Sequence, residues 1–195
     1  MENRISLDKK ERLFLSNQLE ILKNQQIIMN SLAGRKESDV DTSYYDNQIK
    51  ALREGYELHY GDPFEDIYDG LPYEQCRFVL DVLEMYRGIT YSFLALQKNG
   101  VLKTLSESDI EFAGFDLNTE TQLHSYARYF LFDLDRYAEI KKIAGKYADF
   151  NSHTSLTKSR YEEQLKIWEG YRSLENRYLL TEEQIIKLLG ICVNG

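Results

Sequence analysis

Proline and cysteine are nearly missing from this chain, with two of each in 195 residues. With two Pro and 11 Gly it is neither collagen-like nor low-complexity. Two Cys do not make a disulfide framework or a Cys-rich metal site; Cys76 and Cys192 each lie in an apolar periodic segment and read as reduced, buried thiols. No run of about 18 apolar residues exists to span a bilayer, and the polar start MENRISLDKKE lacks the apolar stretch of a signal peptide. The expectation is a cytoplasmic chain with no membrane role. Basic charge is short too: 24 Lys plus Arg face 32 Asp plus Glu, a formal charge of −8. Phosphate binding usually shows as a basic surplus, so nucleic acid is the least favoured partner. Walker-type loops, GxSxG, HExxH, CxxC and EF-hand loops are absent, which removes the readily recognised enzymes and leaves no cofactor or metal demanded.

What is present is helical period. Asp8 followed by Glu11 forms an N-terminal capping box, and Leu15, Leu19, Leu22 and Met29, widened by Phe14 and Ile21, give an apolar face on a helix from Asp8 to Asn30. Residues 31–41 carry Gly, Ser and charge without apolar spacing and read as a loop. Tyr45, Ile49, Leu52, Tyr56 and Tyr60 predict a second helix over Thr42 to Tyr60, interrupted by Gly61-Asp62-Pro63. From Pro72, Val79, Leu80, Leu83, Tyr86, Phe93 and Leu94 track one face until Asn99-Gly100. At roughly 27 residues this helix would be about 40 Å long and central. Gly88 inside it would let another backbone come close. Asn118 is expected to cap a helix running through Leu123, Tyr126, Leu131, Leu134, Tyr137 and Ile140. A helix from Leu156 to Leu174 follows, then a capping box at Thr181-Glu182-Glu183-Gln184 and a stop at Gly190. No alternating strand pattern or fixed-period repeat competes. The expected fold is all-α: one domain over residues 1–195, a bundle of about six to seven helices with one long central helix, and linkers near 61–71, 100–118 and 145–154.

Charge is segmented. Residues 1–36 carry +3, residues 37–100 carry −8 and residues 101–195 carry −3, an orientation cue for the first helix toward an acidic surface of its own chain or a second copy. Three His are candidates for chemistry. His59 and His124 read as boundary residues, whereas His153, in Asn151-Ser152-His153-Thr154 ahead of a helix, offers a weak catalytic candidate where helix NH groups and an imidazole would hold an anion or move a proton. Asp62 with Glu65, Asp66 and Asp69 makes an acidic run that reads as solvated. More informative are polar insertions on apolar faces: Asn17, Arg87 after Glu84-Met85-Tyr86, and Arg128 between Tyr126 and Tyr129. A half-buried Arg needs a partner, and Asp116 or Glu120 are candidates. The favoured reading is a polar network that fixes how helices cross; as a pocket, the same set would suit a phosphate or carboxylate.

The segments RLFLSNQLEIL from Arg12, Gly55-Tyr56, CRFVLDVLEMYR from Cys76, Gly114-Phe115-Asp116, Tyr126-Ala127-Arg128-Tyr129, Asn151-Ser152-His153 and Tyr161 resemble, in order, the YfbU family of bacterial proteins. The resemblance covers residues 11–190 and implies a helical, cytoplasmic protein with no established reaction. It makes Asn17, Arg87, Asp116, Tyr126 and Arg128 the hypothetical shared ligand-binding cluster. Some relatives resembling it carry a ribbon-helix-helix-like segment ahead of this domain; the ten residues before Glu11 are too few for one, so no DNA-binding role is carried over. Two functions are weighed. The first is a non-enzymatic, self-associating helical regulatory or interaction module, motivated by Tyr-rich faces and charge asymmetry, with a homo-oligomer and a further protein as partners. The alternative is a stress-response or phage-defence effector acting on RNA or a nucleotide through Arg87, Arg128, Tyr126 and His153.

Overall fold

A computed structural model describes residues 5–64, 67, 70–153, 157–172 and 178–191. Cys192, the acidic residues Glu65, Asp66 and Asp69, and Thr154 lie outside the described residues. Among the described residues the fold is all-α, with seven α-helices and no strand. The helices group into two compact units, Met1–Gly70 and Leu71–Gly195, each with its own apolar cluster.

The first unit is a helical hairpin of α1 (Lys9–Leu32) and α2 (Ser43–Glu54). The Asp8 box is realised: Asp8 accepts from the NH groups of Lys10 at 2.7 Å and Glu11 at 2.9 Å, and Glu11 accepts from the Asp8 NH at 2.8 Å. Leu19, Ile49, Leu52 and Tyr60 form the buried cluster, with Leu7, Leu15 and Tyr45 against it. The expected α1 face is divided. Leu15 and Leu19 turn inward, but Phe14, Ile21, Leu22 and Met29 are exposed, Phe14 and Ile21 on the side of the helix opposite Leu19.

The second helix ends sooner than Pro63 would require. Gly55 takes φ +82 as its left-handed C-cap, so Tyr56 and Tyr60 lie beyond it. The Arg12 guanidinium fills the space a side chain at Gly55 would need: a Cβ there would meet Arg12 Nη1 at 2.6 Å. Arg12 Nη1 donates to the Leu52 carbonyl at 3.2 Å and so caps the end of α2 with charge of the favourable sign.

The second unit is built on α3 (Tyr73–Lys98), the long helix expected at the centre. Val79, Val82, Leu83, Met85 and Ile89 are fully buried in it. Pro72 is its N-cap residue rather than its first turn. Around α3 pack α4 (Thr121–Arg128), α5 (Ala138–Ile143), α6 (Thr157–Arg172) and α7 (Glu182–Leu189). Rings of Tyr86, Phe112, Phe115, Phe150 and Tyr161 interlock at centroid distances of 5.0 to 6.1 Å. Of the 15 tyrosines, three among the described residues, Tyr60, Tyr86 and Tyr161, are buried and serve the apolar clusters.

The helix expected to run from Asn118 to Ile140 is broken. Asp116 accepts from the Thr119 NH at 3.0 Å and from its hydroxyl at 2.6 Å, which postpones the helix start to Thr121. After Arg128 the chain widens into a π-helical turn, Tyr129–Asp133, closed by the Leu134 NH on the Tyr129 carbonyl at 2.9 Å. Asp135 and Tyr137 then adopt φ +48 and +56 before α5 begins. Gly114 marks the other irregular point. At φ +81, a Cβ there would lie 1.7 Å from the Phe150 carbonyl oxygen, because Phe115 and Asn151 form an isolated parallel bridge across this approach.

Candidate functional site

The polar residues singled out above fall into separate groups. Asn17 is exposed on α1 of the first unit, and the other four belong to the second.

Arg87 joins α3 to α5. Its Nε lies 2.8 Å from Glu139 Oε1, its Nη1 3.6 Å from Glu84 Oε2, and its guanidinium 5.1 Å from the centroid of the Tyr137 ring. Tyr178 donates its hydroxyl to Glu84. Burial works against the Arg87 charge, but Glu139 and then Glu84 outweigh it and hold its pKa above the ordinary Arg value. Burial pushes the Tyr137 hydroxyl up, with Glu84 adding to the effect. The partners of Arg87 are thus Glu84 and Glu139, not the expected Asp116 or Glu120.

Arg128 turns elsewhere. Its Nη1 donates to the Asp149 carbonyl at 3.0 Å, and its guanidinium stacks 4.5 Å from the Phe132 ring centroid. His124, 6% exposed, has its pKa lowered by burial, opposed by a bond to the Asp149 backbone; its Nε2 has no hydrogen-bond partner among the described residues. Asp116 is buried with its pKa held down chiefly by the Thr119 hydroxyl. Tyr126 packs against Tyr129 and Phe130 at 6.4 and 5.2 Å, and burial followed by the Cys76 thiol raises its pKa. Cys76 is a free, half-buried thiol whose Sγ donates to the Leu71 carbonyl at 3.5 Å.

The stretch before α6 already has an anion, supplied by the chain itself. Glu120 Oε1 accepts from the Lys158 NH at 2.8 Å, while Oε2 accepts from the Thr157 hydroxyl and from the Asp116 NH at 3.1 Å. The start of α6 thus meets a carboxylate from 38 residues away. Asn151 accepts from the Leu117 NH at 3.2 Å and the His153 NH at 3.3 Å. His153 is exposed at φ +51. His59 pairs with Asp62 at 3.2 Å, which also accepts from Gln48 at 2.8 Å.

Two carboxylates outside the expected set carry long-range work. Glu139 holds Arg87. Glu182, expected only within the α7 capping box, reaches back to accept from the NH groups of Lys103, Thr104 and Leu105 at 2.7 to 3.1 Å. Those bonds, Thr104 first, hold its carboxyl at about 2 against an ordinary 4.5. Among the described residues no group of three or more His, Cys, Asp or Glu could hold a metal ion, and no helix is long and apolar enough to cross a membrane.

The most conspicuous surface is not polar. Along α1, Phe14, Ile21, Leu22, Ile28, Met29 and Leu32 are exposed, Leu32 to 83%. Between Arg12 and Arg35 the sequence holds only two charges, Glu20 and Lys23, and both are spent on α2: Glu20 on Arg53 at 2.6 Å and Lys23 on Asp46 at 2.7 Å.

Fold and surface define an all-α protein with a buried central helix in one unit and an uncovered apolar helix face in the other. The chain matches the YfbU domain over residues 5–190, and it belongs to the YfbU family. It is 33% identical to a UPF0304 protein of Methanocaldococcus jannaschii over 183 residues, 94% of this chain and 98% of that protein.

Proposed function

We propose that the chain is a self-associating, non-enzymatic helical interaction module of the cytoplasm, and that the outward face of α1 is where a second copy docks. The observation behind this reading is the apolar exposure of Phe14 at 63%, Ile28 at 57%, Met29 at 70% and Leu32 at 83% along a single helix. Contiguous apolar surface of this kind is rare on a soluble monomer and marks interfaces. Its lack of charge suits an equally neutral partner, which a copy of the same face supplies. The free thiol of Cys76 fits a reducing compartment. Light scattering on the full chain at micromolar concentration is expected to return twice the 23.0 kDa chain mass or more; a strict monomer overturns the proposal.

A second reading keeps the effector on RNA or a nucleotide. It is favoured by four non-Gly residues at positive φ, Asp135, Tyr137, Phe150 and His153, which lie close in sequence or contact to Arg87 and Arg128. Under it, Arg128→Ala with His153→Ala abolishes nucleotide or RNA binding and any growth effect. Unchanged binding and growth remove that reading.

A further inference from the structure

The uncovered face of α1 has an internal order that specifies how a second copy would lie on it. Phe14, Gln18, Ile21, Gln25, Ile28 and Leu32 recur at intervals of four and three, the spacing of a seam between two helices. Leu22 and Met29 flank it. The seam is symmetric about Ile21: Phe14 and Ile28 stand seven residues to either side, and Gln18 and Gln25 three and four. A cleft of about 420 Å³ opens at its N-terminal end, lined by Leu7, Lys10, Glu11, Phe14, Leu15 and Phe64. At the opposite end Leu32 projects, 83% exposed.

We infer that two copies of this chain pair antiparallel through α1 about a two-fold axis beside Ile21, with Leu32 of each entering the cleft beside Phe14 and Phe64 of the other. The inference rests on the self-association proposed above. A two-fold contact must be self-complementary, and in this arrangement it is. Phe14 faces the partner's Ile28, and Ile21 faces the partner's Ile21. Gln18 faces the partner's Gln25, so each amide finds a donor and an acceptor within the seam. Leu32 lies 11 residues after Ile21, and Lys10, which lines the cleft, lies 11 residues before it. The ends agree as well. Asp8 and Glu11 come beside the partner's Arg35 and Lys36, and the two helix dipoles oppose. A parallel pair would set Lys10 against Lys10 and Glu11 against Glu11, and would leave Leu32 and the cleft at opposite ends. The neutral face also argues against a nucleic acid or an anionic lipid surface, both of which need cations that this face does not present.

The test is oxidative cross-linking of the full chain in a background carrying Cys76→Ser and Cys192→Ser, with circular dichroism confirming unchanged helicity. Ile21→Cys should cross-link to itself. Gln18→Cys should cross-link to Gln25→Cys when the two are mixed, but not to itself, because an axis at Ile21 offsets the two copies of position 18 by about 9 Å along the helix. That exceeds the roughly 7 Å Cα separation a disulfide bridges, and yield should fall about tenfold or more. Self-cross-linking of Gln18→Cys as efficient as that of Ile21→Cys overturns the antiparallel arrangement. No cross-link at any of the three positions in a chain that still scatters as a dimer overturns the α1 seam while self-association stands. A monomeric parent chain overturns both.

Discussion

The two longest helices make an informative pair. Helix α1 has 24 residues and α3 has 26, yet α3 buries ten of them and α1 only Ser16 and Leu19. Both are Pro-free and periodic, and both were legible as helices. What separates them is where their apolar residues find partners. On α3 the neighbours close around most of the circumference, so that even the polar Ser92 is used inside, donating to the Gly88 carbonyl at 2.7 Å and accepting from the Leu180 NH at 2.9 Å. On α1 one side packs against α2, and the opposite side leaves Phe14, Ile21, Ile28 and Leu32 exposed. Period identifies a helix; the placement of charge shows which faces the chain covers for itself. Glu20 and Lys23 are drawn to α2, leaving the outer face neutral.

The contrast can be broken experimentally, starting in the second unit. Gly114→Ala should have the largest effect, a loss of about 3 kcal/mol or more in urea unfolding, since its Cβ would strike the Phe150 carbonyl and the backbone sits at φ +81. Next, Leu19→Ala should cost about 2–3 kcal/mol, because Leu19 is buried against α2. Ile21→Ala, on the opposite side of the helix and 49% exposed, should cost the isolated chain within about 0.5 kcal/mol and act on association instead. Equal losses at both positions would mean that the two faces of α1 are not different.

Glu182→Ala should cost about 1–3 kcal/mol by leaving the buried Leu105 NH without its acceptor. The same carboxylate predicts an acid transition. Its folded pKa, about 2, lies below the ordinary 4.5, so its stabilisation is complete above pH 4.5 and is lost as pH falls toward 2. Glu182→Gln should flatten that part of the stability curve, measured by unfolding at stepped pH. Arg128→Ala should be the smallest of the second unit's losses, about 1 kcal/mol for one bond to a carbonyl and one ring contact.

Local chemistry was readable in advance and remote chemistry was not. The capping boxes at Asp8 and Thr181 involve residues three apart and stand as expected. The central helix was evident from its apolar run. Gly55 falls inside the helix that periodicity predicts over Thr42 to Tyr60, and the Arg12 guanidinium that occupies the place of its side chain comes from another helix, out of reach of that pattern. The break at Asp135 and Tyr137 has no Pro or Gly to announce it; Tyr137 is held by Arg87 on α3, a contact no periodicity contains. The candidate cluster was less legible than the fold. Arg87 and Arg128 were singled out as needing partners, with Asp116 or Glu120 as candidates; instead Arg87 pairs with Glu139 and Arg128 bonds the Asp149 carbonyl, while Asp116 is taken by Thr119. Glu120 and Glu182 act across 38 and 79 residues. The tyrosine count suggested an aromatic interface, whereas Tyr86 and Tyr161 are core and the exposed α1 face is largely aliphatic.

Sedimentation equilibrium of the native chain beside Ile21→Glu tests the proposed covering of the outer α1 face by a second copy. Ile21 is 49% exposed, so the substitution leaves the fold intact while setting two carboxylates against each other at the axis. The native chain is expected at twice 23.0 kDa and the variant at the monomer mass, its dissociation constant raised by more than about 100-fold. Equal masses for the two would rule out a pairing through Ile21.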